Sequence, residues 1–600
     1  MPETKRLPKR DEVALQDKWR IEDLYASDDD WEADFSKLER LASEFGRFAG
    51  TLAGSAQQLY TALREQDEIS MLMERVYVYA GQKNHEDMGD SRYQQLVMRA
   101  QVLMSRVGEA LSFMEPEILG ISDEVMERYL AGYEPLNLYR RYLQEKRRMR
   151  EHILSKEMES VLAKAANMGN APQNIFQVFN NADLDFGTVT DEDGKTVQLT
   201  HGRYIPFLES QNVRVRREAF EKVYAAYKQF KNTLAAAFDA NVQQERFFAE
   251  MRNYGSSMEM ELDGGNIPVS VYQRLIEAVH SHMDLMHRYV ALRRRVLGVD
   301  ELHMYDLHVP LVMQKDNRYS FEEAKQIVRR GLAPLGEDYL RLLDEGFGQG
   351  WIDVYENQGK RSGAYSWGAY GTHPYVLLNY NGSLNHVFTL AHEMGHAIHS
   401  HYSDQVQPYP YAGYRIFVAE VASTCNEALL IHDLLEHAAD VQEKRYLINY
   451  FLDQFKSTLY RQTMFAEFEQ KVHQMGQEGQ SLTADVLCEI YLGLNRRYFG
   501  EEMVVDPEIA MEWARIPHFY TPFYVYQYAT GFSAAIAISS RILNGEPGIV
   551  EKYKEFLSGG SSKDPIDLLK ICGVDMTSPQ PVEEALKVFE RYLNEFSELV

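Results

Sequence analysis

The chain's 600 residues carry 63 Lys and Arg against 89 Asp and Glu, a formal charge of −26. This excludes a nucleic-acid partner, because no basic surface is available to release counterions from a phosphate backbone. Hydrophobic residues at 45% and charged residues at 25% describe a globular chain able to bury a large core, and three scattered cysteines, Cys425, Cys488 and Cys572, exclude a disulfide framework and fit a reducing compartment.

Met1 to Arg20 is charged and lacks an apolar stretch, so no secretory signal is expected. Ser27 with Asp30 gives a helix start, and Trp31, Phe35, Leu38, Leu41 and Phe45 recur at helical spacing behind it. Helix-favouring residues fill 55–165. Thr188 to Thr190, Asp193-Gly194 and Thr196 to Thr200 predict a hairpin with a tight turn. That hairpin is the expected boundary between an N-terminal helical region, residues 1–200, and a catalytic region, residues 201–600. Phe220, Val223, Tyr227, Phe230, Leu234 and Phe238 predict one long helical run ending near Asn253 and Gly255. Ser320 with Glu322 and Glu323 opens another helix. Helical patterning also covers 268–298, 417–476 and 583–597. Residues 363–380 are rich in Gly, Tyr and β-formers and read as strand, ending at Tyr375 to Tyr380. The apolar stretch at Ser533 to Ile538 is too short to span a bilayer. The expected protein is mostly α with a small β element, cytoplasmic and without a membrane partner.

Chemistry concentrates after that strand. His392-Glu393-Met394-Gly395-His396 places two imidazoles at i and i+4, on one helical face and close enough to share a metal ion. Imidazole is a good zinc ligand, and the intervening Glu393 can act as general base on a metal-activated water. Leu384 to His401 can run as one helix, with Asn381, Gly382 and Ser383 as turn and cap. With 18 His in the chain, the pattern arises by chance roughly 0.04 times.

A catalytic zinc needs a third protein ligand. The extended motif with a downstream Gly and His is excluded, because those positions hold His399 and Tyr402. The alternative is a carboxylate on a following helix. Phe417 to Glu427 forms an apolar helical face bearing Glu420 and, two turns on, Glu427. Acids among Val, Ala and Phe are costly to bury unless paired or metal-bound. Glu420 is therefore the expected third ligand of one Zn2+ per chain, and Glu427 the acid that orients a ligand imidazole. His373, His386, His399 and His401 compete in principle but lack the spacing.

The sequence resembles the thimet-oligopeptidase-like zinc metallopeptidases, in their oligoendopeptidase F branch. The resemblance is carried by His392 to His396, by Phe417 to Thr424, by His518 to Gly531, and by the opening Leu7-Pro8-Lys9-Arg10 with Trp19 to Ser27. It covers essentially the whole chain. It implies two helical lobes flanking a deep channel around a zincin-like catalytic core, with short peptides as substrates. It also implies that His518, Tyr524 and Tyr528 donate to the oxyanion of a tetrahedral intermediate. Locally, Thr521 can cap a helix with Pro522 as its first residue, which puts Tyr524 and Tyr528 on one face and turns Tyr526 away. An aromatic stripe at such spacing can equally be core. An edge strand at 375–380, with the glycines at 363, 368 and 371 before it, could hold an extended peptide by β-addition.

The expected activity is zinc-dependent hydrolysis of internal bonds in short oligopeptides. A zinc carboxypeptidase or dipeptidyl carboxypeptidase could use the same centre. A non-catalytic peptide-binding helical protein would not require Glu393, and a peptide carrier in transport has no signal or membrane segment in its favour.

Overall fold

The computed structural model describes residues 6–313 and 318–600. Two compact units are each assembled from three segments of chain. One comprises Met1–Arg150, Asn317–Asp433 and Ile538–Cys572, and the other Glu151–Asp316, Leu434–Ala537 and Gly573–Val600.

In the first unit the Ser27 hydroxyl accepts the N–H of Asp30 and starts the helix Asp28–Phe45, as its sequence predicts. Trp31, Phe35, Leu38 and Phe45 are buried against Leu59, Leu63, Leu96 and Leu103, which belong to the helices Ala56–Glu86 and Ser91–Leu111. The N-terminal segment is tied down by charge. Arg10 and Lys360 each reach the Asp353 carboxylate at 2.6 Å, and Trp19 donates its indole N–H to Glu86 at 2.7 Å. Burial would raise Asp353, but the two cations outweigh it and hold its pKa below the ordinary carboxylate value.

The β element of this unit is a three-stranded sheet. Tyr375–Leu377 pairs parallel with Ile352–Asp353 on one side and antiparallel with Tyr365–Trp367 on the other. Strand 375–380 is therefore not an edge. The N–H groups of Val376, Leu378 and Tyr380 are bonded to the carbonyls of Trp351, Asp353 and Val354 at 2.7–2.9 Å. No free backbone row remains there for an added peptide strand.

In the second unit the predicted hairpin forms, Thr188–Thr190 against Thr196–Gln198 with Val189 opposite Val197. The long run beyond it is two helices, Val213–Gln229 and Lys231–Met251. Phe230 leaves helical geometry at φ −112°, ψ 14°, and its half-exposed ring packs on Phe179. The apolar spacing continues across the break, which is why it was invisible in the pattern. Phe220, Val223, Tyr227, Leu234 and Phe238 are all buried, and Phe238 lies within 6.2 Å of the rings of Phe468, Trp513 and Phe519. All three cysteines are free. Among the described residues, no helix is long and apolar enough to cross a membrane.

Candidate metal centre

The helix bearing the two imidazoles runs Leu384–Val406, longer than its sequence required. Gly382 turns the chain at φ +85°, a conformation that suits glycine. Ser383 then caps the helix by accepting the N–H of His386. A second helix, Ile416–Glu436, carries the two acids. Its Val418, Val421, Ala422 and Cys425 are buried, so packing fixes its rotation and leaves Glu420 and Glu427 on the side that meets the imidazoles.

The geometry is compact. Nε2 of His392 and Nε2 of His396 each lie 3.4 Å from Oε2 of Glu420, and one ligand atom from each residue falls within 4.8 Å of the others. Donors about 2.0–2.1 Å from a tetrahedral zinc stand roughly 3.3–3.4 Å apart, so two imidazoles and a carboxylate at this spacing fit such an ion. Among the described residues this is the one group of three or more potential ligands that close together. His373 pairs instead with Asp23 at 3.0 Å, His386 accepts the N–H of Asn381, His399 is buried and stacked on Tyr414 at 3.8 Å, and His401 packs on Trp351.

Glu427 accepts the Nδ1–H of His392 at 2.6 Å, which in the neutral ring that a metal would bind leaves Nε2 as the acceptor, facing the cluster. Ser423, one turn after Glu420 and fully buried, has its hydroxyl 3.0 Å from both the carbonyl oxygen and Oε2 of Glu420 and can donate to either. That second anchor was missed in the sequence, where a serine at i+3 from an acid reads only as helix surface. Charge and burial compete throughout. Burial lowers His392, but the hydrogen bond to Glu427 and the charges of Glu427, Glu393 and Glu420 push it up to about 9. Burial raises Glu420, while its bond to His396 and both imidazole charges bring it down to about 2. Glu393 is 7% exposed, and burial raises its carboxyl more than the two imidazoles lower it.

His518, Tyr524 and Tyr528 come together in the other unit. The ring of His518 lies 6.2 Å from Tyr524 and 6.0 Å from Tyr528, and the two tyrosines are 5.4 Å apart. Their local structure differs from the expected one. The helix starts at Tyr526, not Pro522, and Pro517–Tyr520 is a short 3-10 turn. Phe523 has φ +52°, a left-handed backbone that a bulky residue rarely adopts, and this prevents a helix from running through it. Its N–H is taken at 3.1 Å by Glu469, a fully buried carboxyl far away in sequence. Tyr526 is buried against Tyr272.

Comparison with known proteins agrees with this chemistry. Residues 207–588 match the model of peptidase family M3, and residues 117–186 match one described as oligopeptidase F. Oligopeptidase PepF of Bacillus subtilis (strain 168) is 47% identical over 594 residues, covering 99% of this chain and 89% of that protein. An oligoendopeptidase F homolog of Lactococcus lactis subsp. lactis (strain IL1403) is 39% identical, with 98% of each chain covered. The crystal structure of oligoendopeptidase-F from Enterococcus faecium superposes with a TM-score of 0.75 at 39% identity, over 95% of this chain and 99% of that one. A solved structure from Chlamydophila abortus reaches 0.93 at 33% identity, over 99% and 100%.

Proposed function

Since the chain belongs to peptidase family M3, in its oligoendopeptidase F branch, we propose that His392, His396 and Glu420 hold one zinc ion and that Glu393 is the general base for internal cleavage of short peptides. The observation that carries the assignment is the 3.4 Å spacing of both imidazole Nε2 atoms from one carboxylate oxygen. The chemistry zinc supplies when bound is Lewis-acid polarisation of the scissile carbonyl and a lower pKa for water. Everything else falls to the chain. Glu427 keeps His392 in the tautomer whose Nε2 can donate a lone pair, and Ser423 can hold the Glu420 carboxylate in place. The Glu393 carboxylate takes a proton from the attacking water and returns it to the departing amine nitrogen. Its buried position and raised pKa suit a group that must do both.

His518, Tyr524 and Tyr528 are assigned as hydrogen-bond donors to the developing oxyanion. Their support is the resemblance in the His518 to Gly531 segment and the accessibility of all three rings. The division near residue 200 is supported by the two family matches, which fall on either side of the hairpin. A cytoplasmic setting is supported by three free cysteines.

The test is an internally quenched peptide blocked at both ends, given to wild type and Glu393→Gln. Wild type should cut it internally, and the variant should retain about one zinc per chain while losing roughly 10²–10⁴ in kcat, the usual worth of a general base. A zinc-loaded wild type that leaves this peptide intact but trims one with a free C-terminus would replace the endopeptidase reading with an exopeptidase one.

A further inference from the structure

Between the two ligand-bearing helices lies a contact that none of the proposed ligands makes. A Cβ on Gly395 would stand 2.7 Å from Cα of Ser423, 2.9 Å from the carbonyl oxygen of Ala422 and 3.0 Å from the Ser423 nitrogen. These are backbone atoms, so no rotamer change could make room. Gly395 sits between His392 and His396, and Ser423 between Glu420 and Glu427. A tight backbone approach of the two helices therefore falls, along both chains, between the residues of the metal cluster.

A hydrogen bond locks the same turn. Asn426, fully buried, donates its amide to the carbonyl of Ala391 at 3.0 Å. A helix already ties that carbonyl to the N–H of Gly395 four residues on, so the carboxamide and the glycine act on one peptide group. The amide is held in that orientation by Tyr339, also fully buried, whose hydroxyl donates to Oδ1 of Asn426 at 2.9 Å. Tyr339 comes from a third helix, Glu337–Gly348. An asparagine with both ends satisfied cannot flip or slide without stranding a buried polar group.

We propose that Gly395 and Asn426 are positioning residues: they set the separation and rotation of the two helices so that Glu420 and Glu427 reach the imidazoles, with Tyr339 fixing the Asn426 amide. This rests on the reading of His392, His396 and Glu420 as a zinc site. It makes a prediction that runs against helix propensity. In a helix interior Ala is favoured over Gly, yet Gly395→Ala should weaken the site by pushing the acids away from the imidazoles.

The experiment is competition for zinc between a chromophoric chelator and the metal-free full chain, for wild type, Gly395→Ala, Asn426→Leu and Tyr339→Phe. Circular dichroism identifies which variants fold. Gly395→Ala and Asn426→Leu should each raise the zinc Kd roughly 10–100-fold, the range seen when groups supporting metal ligands are lost, while KM for the quenched peptide in the zinc-saturated enzyme stays near wild type. Tyr339→Phe removes a single hydroxyl, keeps the fold, and should raise Kd less. Folded Gly395→Ala or Asn426→Leu with wild-type zinc Kd would overturn the proposal. So would an unchanged Kd in Tyr339→Phe if the other two fail to fold. A wild-type chain that binds no zinc would overturn the metal reading and this inference with it; a zinc-binding wild type matched by its variants overturns this inference alone.

Discussion

The pair of ligand-bearing helices and the segment from His518 to Tyr528 are held in opposite ways. The helices are regular, capped by Ser383 at one start, and docked through Gly395 against Ser423 backbone. Each side chain of the cluster inherits its place from a helical period. The other segment is irregular. It passes through a short turn and a left-handed Phe523 before a helix opens at Tyr526, and the buried acid Glu469 accepts the Phe523 N–H. A metal site tolerates little displacement of its ligands, and packed helices supply that rigidity. A turn held by distant residues, here Glu469, Tyr272 and His473 around Phe523, can aim donors in a direction that one continuous helix would not.

If Tyr524 and Tyr528 are donors and not packing, Tyr528→Phe should give the largest effect, a fall in kcat of roughly 10²–10³ as for loss of one oxyanion donor. KM and zinc content should stay near wild type, and Tyr524→Phe should behave likewise if it shares the role. An unchanged kcat in both would reduce this region to packing and dissolve the contrast. On the helix side, Glu427→Ala frees the His392 imidazole to change tautomer. Zinc Kd should then rise about 10–100-fold, with the protein still able to reach full loading at high zinc; an unchanged Kd would mean that helix packing alone orients the ring.

The smallest effect concerns the acids behind the loop. Glu245 is 8% exposed, and burial with the nearby Glu261 pushes its carboxyl up to about 8; burial likewise raises Glu469. Between the ordinary carboxylate range and about 8, the folded state keeps a proton on Glu245 that the unfolded chain has lost. Folded protein thus binds more protons, and stability must fall as pH rises through that window, by at most about 1.4 kcal/mol per pH unit. Glu245→Gln should flatten the dependence and be the more stable form at pH 8, read as Tm between pH 5 and 9. A variant with the wild-type slope would remove Glu245 as its source.

Much of the helix region was legible in the sequence. Two imidazoles one turn apart, a Ser cap and acids on an apolar face are all local spacings, and the structure brings those residues together. What was illegible is set by tertiary contact. Nothing local marks Phe523 as left-handed, because the bond that holds it comes from Glu469. Strand 375–380 looked like an edge because its parallel partner, Ile352–Asp353, is only two residues long in the ladder, too short to leave a pattern. Phe230 kept the apolar spacing while leaving the helix. Gly395, read alone, is a poor helix former; its reason appears only against Ser423.

On the proposed reading, His392, His396 and Glu420 bind one ion. Anomalous difference maps from zinc-loaded crystals, collected above and below the zinc edge, would locate that ion. One peak is expected about 2.0–2.2 Å from Nε2 of His392, Nε2 of His396 and a Glu420 carboxylate oxygen, absent in Glu420→Ala crystals grown at limiting zinc. A peak ligated by other residues, or one unmoved and undiminished in that variant, would contradict it.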